Sequence, residues 1–225
     1  MSVALITGGS AGLGLALLEA LAEQGWTVVT DGRDAERLAD VSSPGVVRVV
    51  GDIVDPAHRA ALVAEVERLG RLDLLVHNAS TLGPLPLRPL RDLTGDDLVA
   101  TWAVNAVAPH ELTRALLPWL RASSGVLISL SSDAAVEHYP TWGAYGAGKA
   151  ALDHLTGTWA AEEELLAYAI DPGDLRTALH QAAFPGEDIS DRPLPASVVP
   201  AFLEVVRRRP ASGRYRAADF LPLGV

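Results

Sequence analysis

"VALITGGSAGLGLALLEALAEQG" fills residues 3–25, and its reading decides the fold. Residues 3–7 form a short run rich in aliphatic side chains, suited to a buried strand; from Leu13 onward apolar side chains recur at helical spacing until Gly25 stops them. Between the two, Gly8, Gly12 and Gly14 permit a tight turn whose backbone N–H groups can approach a pyrophosphate at the start of the helix. Strand, glycine turn and helix make the first half of a βαβ unit. Taken alone the turn is weak evidence, because glycines also serve simply to pack a helix closely on a strand.

The same alternation continues outward from this stretch. Residues 26–30, 46–50, 72–77, 125–130 and 165–170 are apolar on nearly every position, as strands of a parallel sheet covered on both faces must be. Asp55 as a cap, Pro56 at the first helical position and Gly70 as a stop bracket one intervening helix. The pattern predicts an α/β fold: a Rossmann-type, doubly wound parallel sheet in three α/β/α layers, a single domain over residues 1–225. Residues 178–196 break the alternation with three prolines and read as a flap over a site. A helix and a short last strand are expected after it, with Arg207, Arg208 and Arg209 as its solvated end.

Composition narrows the function. With 225 residues, 49% of them hydrophobic, the chain can bury a substantial core. A formal charge of −10 without a basic patch argues against nucleic acid and anionic membranes as partners. There are no cysteines, which removes disulfides, thiolate metal sites and a cysteine nucleophile. The six histidines show no ligand spacing, so no metal is expected. Neither a basic leader nor an apolar stretch approaching ~20 residues is present. The expectation is a soluble, unprocessed, cytoplasmic protein.

The chemistry-bearing motifs come in a fixed order: the glycine turn, "GDI" at residues 51–53, "HNAS" at 77–80, "VNAVAP" around Asn105, Ser132, Tyr145 with Lys149 four residues on, and "DPGDLRT" at 171–177. Over nearly the whole chain this series resembles the short-chain dehydrogenase/reductase family, nicotinamide-dependent oxidoreductases on a Rossmann fold. The resemblance implies cofactor contacts from Gly8, Ser10, Gly12, Leu13 and Gly14, from Asp52 and Ile53 beside adenine, from Asn78 and Ala79, from Tyr145 and Lys149, and from Pro172, Gly173 and Thr177 around the nicotinamide carboxamide. It implies a catalytic set of Asn105, Ser132, Tyr145 and Lys149, with Ser132 rather than Ser131 selected by the family's spacing to the tyrosine, and Asn105 holding a water that relays protons toward Lys149. It also implies a homodimer or homotetramer built on helices at 98–121 and 147–162. Two departures stand out: Ser80 replaces the family's glycine, and the connection after the Tyr145 helix is shorter than usual.

The residues support that chemistry on their own terms. A carbonyl that accepts hydride needs a proton donor, and a phenol of pKa about 10 suits the position if a nearby cation draws it toward neutrality. Lys149 follows Tyr145 by one helical turn and so shares its face. It is also the only lysine in a chain whose Lys and Arg total 18. A compact ammonium can serve both ribose hydroxyls and the tyrosine, where a guanidinium would fill the space with a fixed fork. Tyr139 and Trp142, between Ser132 and Tyr145, are candidates for the substrate pocket.

Cofactor choice rests on "TDGRDAERL". Gly32 holds the place where a ribose-binding carboxylate would stand and Arg33 follows it, which favours NADP(H). A shift of one residue would make Asp31 the ribose ligand and keeps NAD(H) open. The expectation is interconversion of a small-molecule carbonyl and a secondary alcohol. A cofactor-binding regulator or scaffold without turnover, and an epimerase or dehydratase using the same tyrosine, share these motifs.

Overall fold

The structure, a computed structural model, describes residues 1–221; residues 222–225, included in the single-domain expectation, lie outside the described residues. Strands β1 (Val3–Ile6), β2 (Thr27–Gly32), β3 (Val46–Val50), β4 (Leu74–His77), β5 (Val126–Leu130), β6 (Leu166–Asp171) and β7 (Gly213–Arg216) form one sheet in the order β3-β2-β1-β4-β5-β6-β7. Every pairing is parallel. Each strand-to-strand step therefore needs a crossover, and the sequence supplies helices there: α1 (Gly12–Glu23), α2 (Ala35–Ala39), α3 (Pro56–Leu69), α4 (Gly95–Trp102), α5 (Ala108–Ala122), α6 (Gly143–Glu163), α7 (Ala178–Ala183) and α8 (Val199–Arg208).

Strand alternation divides the core in two. Ala4 and Ile6 pack with Leu17, Leu18 and Leu21 of α1 and Phe202 and Val205 of α8. Val3 and Leu5 point the other way, to Leu62 and Val66 of α3 and Leu112, Leu116 and Leu120 of α5. The doubly wound, three-layer expectation is met. Strand order reverses between β1 and β4, and a crevice opens there at the carboxyl ends of the strands. The caps are as read: the Asp55 carboxylate accepts from Ala57 N–H, and Gly70 closes α3 in the left-handed region at φ 73°. Arg207 and Arg208 pair with Glu204 on the exposed last turn of α8.

Two local features differ from the sequence reading, and a third gives the short connection after α6 its geometry. The helix expected over 98–121 is interrupted by a π-helical turn, Ala103–Val107, which carries Asn105. The flap at 178–196 opens as helix α7, because the Thr177 hydroxyl accepts from His180 N–H and caps a stretch whose prolines come only later. Its remainder is held by Arg176, whose guanidinium donates to the carbonyls of Ser190 and Arg192. The short link after α6 turns through Glu164 at φ 52°, a left-handed conformation that a glycine would adopt without strain. Among the described residues no helix is long and apolar enough to cross a membrane.

Candidate active site

The crevice at the switch point is a cleft of ≈590 Å³. One end is the glycine turn, where Gly8 (φ 69°) and Gly12 (φ 59°) take conformations that side chains resist. Helix α1 starts at Gly12 and its cap residue, Ala11, offers no side-chain acceptor, so the first N–H groups of the helix lack a side-chain partner. Gly14 packs the helix onto the turn: a Cβ there would stand 2.5 Å from the Gly8 carbonyl oxygen. A phosphate-sized anion fits this cradle on the grounds of uncapped N–H groups and helix polarity. Gly8, Ser10, Gly12, Leu13, Asp52, Ile53, Asn78 and Ala79 all line the cleft, while Gly14 contributes only close packing. The Asn78 amide donates to the carbonyls of Thr7 (2.8 Å) and Gly8 (3.0 Å), so its nitrogen braces the turn.

Beyond the glycine turn, exposed Arg33 lies 3.9 Å from half-buried Asp52. Arg37 joins them on the cleft wall, a residue the sequence reading missed although its i, i+4 spacing from Arg33 was visible. Asp31, the alternative ribose ligand, is buried. Its Oδ1 accepts from Gly8 N–H at 2.6 Å and its Oδ2 lies 3.0 Å from His58 Nε2.

Ser132, Tyr145 and Lys149 line the same cleft, as do Pro172, Gly173 and Thr177. Tyr145 and Lys149 are buried, at 7% and 2% exposure. The Lys149 ammonium donates to the Leu130 carbonyl at 2.7 Å and stands 5.6 Å from the centroid of the Tyr145 ring. Burial pushes Lys149 down to about 8, with Asp153 opposing. The expectation of a tyrosine drawn toward neutrality is corrected here: burial pushes Tyr145 up to about 12, Asp133 and Asp171 add to the rise, and the hydroxyls of Ser132 and Ser80 work against it. The phenol is therefore protonated at neutral pH, the form that donates a proton.

Neighbouring strand residues divide their tasks. The Ser131 hydroxyl donates to Asp153 at 2.6 Å, and Arg214 of β7 ties Asp153 (3.0 Å), the Ser132 carbonyl (2.9 Å) and Asp171 (3.4 Å) into one buttress. The Ser132 hydroxyl donates to Asp133 at 3.0 Å and accepts from Ala134 N–H at 3.2 Å. Asp133 was overlooked in the sequence although it adjoins Ser132; Arg214 lies 82 residues from that serine and gave no local signal.

The Tyr139 expectation is corrected, and the Asn105 side chain is committed to a neighbouring loop. Both polar ends of the Asn105 side chain are engaged by one segment: Oδ1 accepts from Thr81 N–H (2.9 Å) and Ser80 O–H (3.2 Å), and Nδ2 donates to the Thr81 carbonyl (2.8 Å). The side chain clamps that loop. Tyr139 donates to Asp133 at 2.9 Å, is 44% exposed and stays outside the cleft walls. Trp142 does line the cleft and packs edge-on against Tyr145, centroids 5.5 Å apart.

A model of the short chain dehydrogenase family matches residues 2–188. The chain belongs to that family. The uncharacterised oxidoreductase YciK of Escherichia coli is 31% identical over 216 residues, spanning 89% of this chain and 84% of the relative. A Saccharomyces cerevisiae benzil reductase is 32% identical over 219 residues, 90% of this chain and 80% of its own. A Shigella flexneri chain solved in complex with NADP superimposes with a TM-score of 0.87 at 29% identity, covering 96% of this chain and 97% of the other. The protein is thus an oxidoreductase of the short-chain dehydrogenase family.

Proposed function

We propose that this short-chain dehydrogenase interconverts a partly apolar ketone and its secondary alcohol with NADP(H), with Tyr145 as acid in reduction and base in oxidation. The observation that carries the reading is the phenol of Tyr145, buried beside the Lys149 ammonium in the cleft that begins at the glycine turn. The glycine turn at Gly8 to Gly14 would hold the dinucleotide's pyrophosphate, and the bound cofactor would supply or remove the hydride. Ser132 orients the carbonyl oxygen, and Tyr145 delivers its hydroxyl proton to that oxygen as the C–H bond forms. Lys149 holds positive charge below the phenol and stabilises the phenolate left behind. Asn105 supports the pocket through Ser80 and Thr81.

Arg33 and Arg37, with Asp31 withdrawn, support NADP(H), as does the likeness to the NADP-bound Shigella flexneri chain. Trp142 and Leu179 on the cleft wall suit an aromatic or aliphatic ketone, in line with the benzil reductase likeness. Residues 178–196 act as the element covering that substrate. The exposed Val99 (64%) and Val107 (55%) support association through the helices at 98–121 and 147–162 into a homodimer or homotetramer.

The test is NADPH consumption with a panel of aryl and alkyl ketones that includes benzil. Turnover is expected for at least one; bound NADPH with no consumption across the panel would favour a scaffold. Arg33→Ala is expected to weaken NADPH binding roughly tenfold, about the 1.4 kcal/mol of one exposed charge-assisted contact, and to leave NADH binding unchanged. Titration of tryptophan fluorescence with each dinucleotide measures both.

A further inference from the structure

Asp31 stands one residue before the position from which a carboxylate would reach the adenosine ribose, and the cleft wall includes it. Nevertheless both of its oxygens are engaged elsewhere. Oδ1 accepts from Gly8 N–H at 2.6 Å, and Oδ2 meets His58 Nε2 at 3.0 Å, the ring donating in its Nε2–H tautomer. Both side chains are nearly sealed from solvent, 4% exposed for His58 and 3% for Asp31. His58 reaches this place from the first turn of α3 only because residue 51 is glycine: a Cβ there would lie 2.2 Å from His58 Nδ1. Three residues remote in sequence therefore combine to turn one carboxylate under the glycine turn.

We propose that His58 is a specificity-determining residue for the dinucleotide, holding the Asp31 carboxylate away from the ribose and leaving the 2′-position to Arg33 and Arg37. This rests on the NADP(H) reading above. Without the imidazole, Oδ2 would be a buried, desolvated acceptor with no partner, a costly state. Its relief lies toward the cleft, where ribose hydroxyls would satisfy it and a 2′-phosphate would be repelled. Selectivity thus comes as much from removing a repulsive group as from the two arginines.

Binding of 2′,5′-ADP and 5′-ADP by calorimetry tests the idea without turnover or nicotinamide. Wild type should prefer 2′,5′-ADP. His58→Leu should reduce that preference by roughly tenfold or more, about 1.4 kcal/mol of lost discrimination. His58→Gln, which retains an N–H donor, should keep it. Gly51→Ala, which displaces the ring without removing it, should reduce it as His58→Leu does, and decides the matter if His58→Leu fails to fold. Adding Asp31→Asn to His58→Leu should restore the preference, because an amide does not repel phosphate; a general loosening of the site would not be reversed this way. An unchanged preference in His58→Leu and Gly51→Ala, or a loss that Asp31→Asn does not reverse, overturns the role of His58 alone. A wild type without preference for 2′,5′-ADP overturns the NADP(H) reading and the inference with it.

Discussion

Tyr145→Phe is expected to lower kcat for ketone reduction by roughly 10³-fold or more, the upper range for loss of a positioned general acid, with little change in the Kd for NADPH. The substitution removes one oxygen and leaves the ring. The phenyl group still packs edge-on against Trp142 and remains buried, so the pocket keeps its shape. What disappears is the proton held where a developing alkoxide would meet it. Because burial places Tyr145 at about 12, the loss should be uniform from pH 6 to 8, with no pH at which the variant catches up with the wild type. Steady-state kinetics with separate dinucleotide titrations would measure it; a variant that retains wild-type kcat would remove Tyr145 from the mechanism.

Lys149→Met should separate activity from stability. The ammonium is 2% exposed and burial pulls it down to about 8, so the folded protein resists charging it. Turnover is expected to fall by at least roughly 10²-fold, since the phenolate loses the only cation on its helix face. Arginine should not rescue it, because a planar fork cannot share the space beneath the Leu130 carbonyl that the ammonium occupies. Thermal stability should move in the opposite direction: a methionine of similar length removes a buried charge, and Tm at pH 7 should rise. Between about pH 8 and the ordinary lysine value of 10.5 the unfolded wild type binds more protons than the folded one, so wild-type stability should increase with pH across that window. The methionine variant lacks this rise. Melting curves from pH 7 to 10 on both proteins would show it, and parallel pH dependences would contradict the depressed lysine.

The contrast between Lys149 and Asn105 explains what was legible in the sequence. Lys149 was readable because one helical turn is a local relation, and the strand ends at Leu130 and Asp171 were marked by apolar runs with polar and glycine punctuation. Asn105 was legible as a candidate, but the backbone that carries it was not, because a π turn in a helix leaves no trace in hydropathy. The direction of the Tyr145 shift was hidden for a different reason. It depends on burial and on Asp133 and Asp171, which arrive from two other segments of the chain. Asp31 was ambiguous while its partner, His58, lay 27 residues on, and Tyr139 took a nearby carboxylate, Asp133, as its acceptor instead of facing the cleft. Local periodicity thus located the sheet, the turn and the helix that carries Tyr145 and Lys149; burial and pairings between elements shift their pKa values.

The most direct measurement follows a deuterium atom. With NADPH carrying deuterium at both C4 positions of the nicotinamide and a ketone that the enzyme consumes, one deuterium should appear on the carbinol carbon per NADPH oxidised in the wild type, and none above background in Tyr145→Phe under the same conditions. Oxidation of NADPH without label on that carbon, or equal transfer by the phenylalanine variant, would contradict a phenol that manages the proton while hydride moves.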